Sequence, residues 1–250
     1  MKNYLMVLSA LGLAACGGSS GGDSASSGDP RGFYQGTLEN PAAGTNDLMW
    51  ALIDANHQAV MVDQTTGDIY RFTSFSASGD SFSGAYTSYT FSTSGLLSTT
   101  TTTTVGNGNY NSSFVPQSTI SGYLASSSTS TPVYSFDGTY EQAQYVLAAS
   151  FSTIAGSYSF KNGSASVSLD VTDTGSFTLS YTGCTGSGTI TIPDAAHNAY
   201  ELGGSLNCSG AIQNITGLAS FTPAAGSTVA ELTLEYDNGT SLAVQAVAKQ

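Results

Sequence analysis

The second half of this chain alternates between apolar and polar residues in short stretches, and turn signals separate them at intervals of about ten residues. The clearest alternating stretches are residues 167–171, 177–181, 232–236 and 242–247. Asn-Gly pairs at 162–163 and 238–239 lie between such stretches, and both residues tolerate the positive φ of a type I′ hairpin turn. Alternation buries one face of each strand. The pattern predicts about eight antiparallel strands in residues 155–250, which can close into a barrel without exposed edges.

The first half, residues 31–138, follows the same style less regularly and includes a more fully apolar strand at 47–54. Between the halves, residues 139–154 predict one helix, with Thr139 and Gln142 spaced as in a capping box. Its predicted apolar stripe consists of Tyr140, Ala143, Leu147, Phe151 and Ile154. We therefore expect an all-β protein of antiparallel meander or up-and-down barrels, with two tandem subdomains joined by one helix. That helix would pack against a barrel or plug its end.

The start of the chain has the features of a secretory signal. Lys2 precedes an apolar run over residues 4–13, which is too short to cross a hydrocarbon core of about 30 Å as a helix. Leu13-Ala-Ala-Cys16, followed by Gly17, resembles the lipobox of bacterial lipoproteins. The resemblance implies that residues 1–15 are removed, that the thiol of Cys16 receives diacylglycerol, and that the new amine is acylated, commonly with palmitate. The alternative is an ordinary secretory signal that contains a cysteine.

Residues 16–30 are dominated by glycine and serine, a composition that cannot bury enough apolar surface to offset its ordering entropy. The 13 residues from Gly17 to Asp29 form a flexible tether with a typical reach of roughly 20 Å. In the enterobacterial pattern that the lipobox resembles, Asp after the cysteine retains a lipoprotein in the inner membrane. Gly17 therefore favours the outer membrane, on its periplasmic face or at the cell surface.

The charge balance excludes one class of partner. Lys and Arg total 5 against 17 Asp and Glu, and removal of Lys2 leaves 4 − 17 = −13 for the mature side chains. A chain with so few cations cannot displace counterions from a phosphate backbone, so we expect no nucleic acid partner. Anionic membrane surfaces would repel the body, which favours attachment to the bilayer through acyl chains on Cys16.

The cysteines divide into the lipidated Cys16 and the pair Cys184 and Cys208. An exported protein meets an oxidising compartment, so the pair is expected to form a disulfide. Two thiols could instead bind a metal, but no histidine or third cysteine lies at finger-like spacing, and we predict no metal site.

The usual signs of catalysis are weak in this chain, and we expect neither an enzyme nor a cofactor. His57 and His197 fall in predicted turns, and no Gly-x-Ser-x-Gly nucleophile elbow is present. The pairs Asp63 and Asp68, and Asp170 and Asp173, flank hairpins, where aspartate side chains bond to the turn backbone. Trp50, Tyr86 and Tyr89 are candidate binding aromatics for a glycan or protein partner, although such residues more often belong to a core.

Short motifs extend the resemblance to lipoproteins over most of the mature chain. They are Phe33-Tyr34-Gln35-Gly36, Tyr140-Glu-Gln-Ala143, Ala155-Gly156-Ser-Tyr158, Cys184 and Cys208. In these motifs the chain resembles Gly/Ser/Thr-rich proteobacterial lipoproteins of uncharacterised function. A looser architectural likeness is to surface lipoproteins built from tandem β-barrels, including host-factor and transferrin-binding types.

Architecture alone does not give function. Our first hypothesis is a membrane-anchored envelope lipoprotein that is not an enzyme and that makes binding interactions with a protein or glycan at the cell surface or in the envelope. The alternative is a lipocalin-like carrier that holds a small apolar ligand inside a barrel. An envelope hydrolase is a third, weaker hypothesis.

Overall fold

The computed structural model describes residues 28–91, 103–127, 131–162, 165–181, 183–226, 229–237 and 242–249. The predicted signal peptide, Cys16 and the tether before Gly28 lie outside these residues. The described chain is almost entirely antiparallel β-structure, arranged as two barrels in tandem, which confirms the predicted fold class.

The first nine strands form the N-terminal barrel. They are β1 (Gly32–Asn40), β2 (Thr45–Ile53), β3 (Ala59–Asp63), β4 (Ile69–Phe72), β5 (Ser76–Ser78), β6 (Ser81–Phe91), β7 (Thr103–Val115), β8 (Thr119–Ser126) and β9 (Pro132–Tyr140). Their order in the sheet is β4-β3-β2-β1-β9-β8-β7-β6-β5. β4 also pairs with β6, which brings the two ends of the sheet together.

A bulge explains why β4 and β5 are separate strands. Both pair with successive parts of β6, and the backbone N–H groups of Thr73 and Ser74 between them donate to the same carbonyl, that of Ala85, at 2.8 and 3.3 Å. Two residues opposite one partner are the signature of a β-bulge, which increases the bend of a sheet. A Cβ at Gly84 would lie 2.0 Å from the Ser74 carbonyl oxygen, so this close approach requires glycine.

The C-terminal barrel has the eight strands that the alternation predicts. They are β10 (Gly156–Asn162), β11 (Ala165–Val171), β12 (Ser176–Tyr181), β13 (Cys184–Thr191), β14 (Tyr200–Cys208), β15 (Ala211–Thr222), β16 (Glu231–Asp237) and β17 (Leu242–Lys249). Each strand pairs with its neighbour in sequence, and the pairing of β10 with β17 closes the ring. Buried leucine, isoleucine, valine, phenylalanine and tyrosine side chains fill its core.

The prediction of one linking helix is wrong. The connector contains two single-turn helices, α1 (Gln142–Tyr145) and α2 (Phe151–Ile154), and Thr139 belongs to β9, where it pairs with β1 and β8. Glu141 takes the N-cap position without a side-chain capping bond. The Ala149 N–H donates to the Ala195 carbonyl between the two turns, so tertiary contacts replace the hydrogen bonds that a continuous helix would need.

Burial in the connector also departs from the predicted stripe. Tyr145, Ala149 and Ile154 are buried, whereas Ala143 is exposed. The buried positions therefore follow the docking of the connector between the barrels rather than a helical period.

Candidate functional site

The two barrels meet over an apolar centre that contains residues from both of them. From the N-terminal barrel it includes Leu52, Val60, Val62, Ile69 and Tyr89, and it is completed by Tyr145 of α1 together with Ala199 and Leu218 of the C-terminal barrel. All of these side chains are buried. We call this region the junction.

The junction explains why two strands of the N-terminal barrel lack alternation. Along β3, Met61 faces the core of its own barrel, whereas Val60 and Val62 on the opposite face belong to the junction. Along β2, Ala51 and Leu52 divide in the same way. A strand that is buried on both faces has a continuous apolar sequence, which is the signal present in residues 47–54.

The segment before β1 ties both barrels together at one rim of the junction. Arg31 forms ion pairs with Asp29 (Nε to Oδ2, 2.8 Å) and with Asp194 of the C-terminal barrel (2.9 Å). His197 places Nδ1 2.8 Å from the same Asp194 oxygen. Burial by itself would raise the pKa of Asp194, but the Ala196 N–H, His197 and Arg31 outweigh it, and the pKa is lowered.

Both histidines of the chain therefore lie at the junction, in turns as predicted. His57 occupies the β2–β3 turn with a φ of 59°, stacks on Phe75 and approaches Asp29 to 4.0 Å. His197 lies before β14, is nearly buried and stacks on Tyr145 with ring centroids 4.5 Å apart. The sequence shows that each histidine is in a turn, but only the docking of the barrels brings the two turns to one interface.

A second rim links β4 to the C-terminal barrel. The Arg71 guanidinium donates to the backbone carbonyl of Thr216 at 3.0 Å and to its hydroxyl at 3.2 Å. It also lies 3.8 Å from a carboxylate oxygen of Glu235, which is buried. A guanidinium with several fixed donors suits such a mixed set of acceptors.

Asn198 anchors the connector to the edge of β15. Its side-chain NH₂ donates to the carbonyls of Phe221 (2.6 Å) and Gln144 (3.0 Å), and its oxygen accepts from the Phe221 N–H at 3.0 Å. The backbone pairing of β14 with β15 ends at Ala219. Beyond that point the side-chain amide of Asn198 bonds to the backbone of Phe221 and replaces the missing backbone partner of β15.

Two carboxyl groups meet across the junction, and the described groups that act on them include no cation. Asp54, in the β2–β3 turn, is fully buried and accepts the backbone N–H groups of Asn56 and Gln58 through Oδ1. Glu201 of β14 faces it and accepts from the Asn56 side-chain amide at 2.6 Å. Burial, and after it the facing Glu201 carboxyl, raise the pKa of Asp54 to about 7. The sequence pattern around Asp54 and Glu201 does not predict a role for either carboxyl group.

The three predicted binding aromatics make contacts within the protein. Tyr86 is 6% exposed and lies in the core of the N-terminal barrel, whereas Tyr89 is 3% exposed and lies in the junction. Trp50 is half-buried beside the junction and stacks on Phe33, with ring centroids 5.9 Å apart. Residues three apart on β6 face opposite sides, and the C-terminal barrel covers the outer side. Tyr86 and Tyr89 therefore do not present their rings to solvent, contrary to their predicted role.

The predicted disulfide is confirmed. Cys184 of β13 and Cys208 of β14 stand directly opposite each other in the register, with Cα atoms 4.2 Å apart, and their sulfur atoms are bonded.

Asp63 accepts the N–H groups of Thr65 and Thr66, as expected for an aspartate that shapes a turn.

The interior of the C-terminal barrel leaves little room for a ligand at its centre. One apolar cavity there has a volume of about 10 Å³, which is about one water molecule. It is lined by Leu169, Phe177, Leu179, Ile190, Leu202, Ile215, Leu234 and Tyr236. A drug-sized ligand needs several hundred Å³, so a carrier would have to open this core first.

The part of the chain that the structure describes contains neither a cluster of metal ligands nor a membrane-spanning helix. Among those residues, no set of three or more His, Cys, Asp and Glu side chains is placed to hold a metal ion. None of the helices there is long and apolar enough to pass through a membrane.

Comparison of the chain with protein-family models, curated proteins and solved structures finds no match.

Proposed function

We propose that this protein is a lipid-anchored component of the bacterial envelope that works by binding and not by catalysis. The lipobox that ends at Cys16 carries this proposal. Cleavage and acylation there would place diacylglycerol and an amide-linked acyl chain on the first residue of the mature chain. Each buried CH₂ contributes about 0.8 kcal/mol, and two or more chains hold a protein stably on a bilayer.

The position of the body relative to this anchor supports an exposed binding role. The described structure begins at Gly28, and Asp29 and Arg31 are already bound to the junction. A lipidated Cys16 would therefore connect through a short Gly/Ser tether to the place where the two barrels meet. Both barrels would lie close to the membrane while their outer surfaces stay available to a protein or glycan partner.

Filled cores support binding through the outside of the barrels. The apolar clusters in both barrels consist of interlocking side chains, including Phe72 stacked on Tyr110 at 4.3 Å. Gly17 after the cysteine favours the outer membrane as the location. The acidic balance of the chain opposes direct adsorption to anionic lipids and leaves the acyl chains as the attachment.

Metabolic labelling with an alkyne fatty acid in a bacterial host tests the anchor. We expect the wild-type chain and Cys208→Ser to incorporate the label and to fractionate with outer membranes. Cys16→Ser should lose both properties. A labelled Cys16→Ser variant, or a wild-type chain that is released to the soluble fraction, would contradict the proposal.

Protease treatment of intact cells distinguishes the two faces of the outer membrane. A body displayed at the cell surface is degraded without permeabilisation, whereas a body on the periplasmic face is degraded only afterwards. Either result is consistent with an anchored binding protein. If the protein is degraded only when the cytosolic marker proteins are degraded as well, an envelope location is refuted.

The lipocalin-like carrier remains the alternative function and has its own test. Titration with an apolar fluorescent probe should show no saturable binding, because the centre of the C-terminal barrel is occupied by its own side chains. Saturable binding that is lost in Leu179→Trp, which adds bulk at the cavity, would favour the carrier instead.

A further inference from the structure

We propose that Asp54 and Glu201 share one proton across the junction, so that the two barrels are held more tightly in mildly acidic than in alkaline surroundings. This inference concerns the contact between the barrels and goes beyond the proposed envelope function. It does not depend on whether the chain carries lipid.

The hydrogen bonds of Asp54 leave one oxygen without a donor. Oδ1 accepts the N–H groups of Asn56 at 2.9 Å and Gln58 at 2.8 Å. Oδ2 is buried, and no hydrogen-bond partner reaches it in the described structure. A buried acceptor without a donor is costly, and a buried carboxylate without a counter-charge is more so.

The Glu201 carboxyl is the group that faces Asp54 from the other barrel. It is held in place by the Asn56 amide, which donates to Oε1 at 2.6 Å, so the β2–β3 turn contacts both carboxyl groups. Among the described groups that act on Asp54, none carries a positive charge. A proton on Asp54 Oδ2 would supply the missing donor and turn two repelling carboxylates into a hydrogen bond between an acid and its neighbour's carboxylate.

The other acidic and basic side chains around the junction form separate clusters. On the rim next to the tether these groups are Asp29, Arg31, His57, Asp194 and His197. On the opposite rim Arg71 faces Glu235. The groups that act on Asp54 are Glu201 from β14 and, from its own turn, the backbone of Asn56 and Gln58.

The direction of the pH effect follows from burial. Desolvation, followed by the facing Glu201 carboxyl, raises the pKa of Asp54 from 3.8 to about 7. The folded protein then retains a proton that the unfolded chain releases, so folding is favoured most at a pH below the ordinary aspartate value. This contribution is lost as the pH rises through about 7.

Asp194 acts in the opposite sense on the same interface. Its lowered pKa means that its bond with Arg31 is present above the ordinary aspartate range and is lost in strong acid. The two carboxyl groups together predict that the junction is tightest at mildly acidic pH.

Thermal unfolding of the full chain in detergent at pH 5 and pH 8 tests the shared proton. We expect the wild-type melting temperature to fall by about 3 °C or more over this range because of Asp54. In Asp54→Asn, the decrease of the melting temperature that Asp54 causes between pH 5 and pH 8 should disappear. This variant should also melt at a higher temperature than the wild type at pH 8, because an amide can donate to Glu201 at any pH. Glu201→Gln removes the same repulsion from the other side. It serves as the second variant if Asp54→Asn does not fold.

Asp63→Asn is the matched control, since Asp63 is also buried in a hairpin turn of the same barrel and accepts two backbone N–H groups. This variant should keep the wild-type pH dependence. Hydrogen exchange at pH 8 provides a local readout. Peptides covering residues 52–54 and 216–218 should exchange faster in the wild type than in Asp54→Asn.

Three outcomes would overturn the proposal. Parallel pH profiles for the wild type and both carboxyl variants would show that the pair does not titrate between pH 5 and pH 8. Equal exchange rates in the junction peptides would show that the charge does not weaken the contact. A rise of the wild-type melting temperature with Ca²⁺, absent in Asp54→Asn and reversed by a chelator, would show that the pair binds a cation rather than a proton.

Discussion

Single polar residues complete the backbone hydrogen bonding of both barrels. The hydroxyl of Tyr34 donates to the carbonyl of Pro30 at 2.8 Å, and that of Tyr158 donates to the carbonyl of Ile154 at 2.6 Å. Both tyrosines are buried in the first strand of their barrel, and each acceptor lies four residues earlier. Tyr34 and Tyr158 therefore make the same corner contact in the two barrels.

Asn198 offers the sharpest test at the scale of one residue. Asn198→Ala should lower the free energy of unfolding by about 1–3 kcal/mol, because the buried Phe221 N–H would lose its acceptor and the carbonyls of Phe221 and Gln144 would each lose a donor. Denaturant titration measures the loss. Asn207→Ala, at the exposed end of β14 where the side chain accepts the Gly210 N–H, should cost less. Equal losses in the two variants would contradict the role of Asn198.

At the scale of the elements, the junction explains which strands alternate between apolar and polar residues and which do not. Strands such as β12 and β13 of the C-terminal barrel alternate, because one face meets the core and the other meets solvent. The second half of β15 is buried on both faces, because Leu218 faces the junction. β2 and β3 do not alternate, because their outer faces are covered by the second barrel. The connector shows the same influence, since its buried residues follow contacts with both barrels and its helices stop after one turn.

The disulfide should stabilise β13 and β14 as a pair. Cys184 and Cys208 are 24 residues apart, and closing such a loop contributes about 3 kcal/mol in the chain-entropy model. Reduction should lower the melting temperature by about 6 °C or more. The Cys184→Ala/Cys208→Ala variant should melt at the lower temperature with or without reductant. An unchanged melting temperature, with both thiols shown to be free beforehand, would refute the contribution.

At the scale of the whole molecule, the junction should make the two barrels unfold together. Leu218 is buried there on the outer face of β15, so Leu218→Lys would place an unpaired charge between the barrels. Calorimetry should show one transition for the wild type and two for this variant, because separation of the barrels would let the charge reach water. Ile212→Lys, on the same strand but 72% exposed, should keep one transition. Two transitions in the wild type would show that the barrels are not coupled.

Local patterns were sufficient to predict much of this protein. Alternation and glycine-containing turns predicted the antiparallel strands of the C-terminal barrel, because each hairpin is specified by neighbouring residues. Assignment of Cys16 to the lipobox left Cys184 and Cys208 as the pair that was expected to form a disulfide. The predicted lipobox at Cys16 is equally local, and it remains a prediction because it lies outside the described residues.

The tertiary structure alone decided how the barrels meet. Asn56 and Glu201 are 145 residues apart, as are Arg71 and Thr216, and no periodicity in the sequence connects them. Tyr89 illustrates the consequence, since the pattern of β6 shows that it faces out of its barrel but cannot show that a second barrel covers it. The sequence determined which faces are apolar and where the chain turns. Docking of the two barrels determined which of those faces and turns became the junction, because that contact depends on the shapes of the barrels and not on the local sequence pattern.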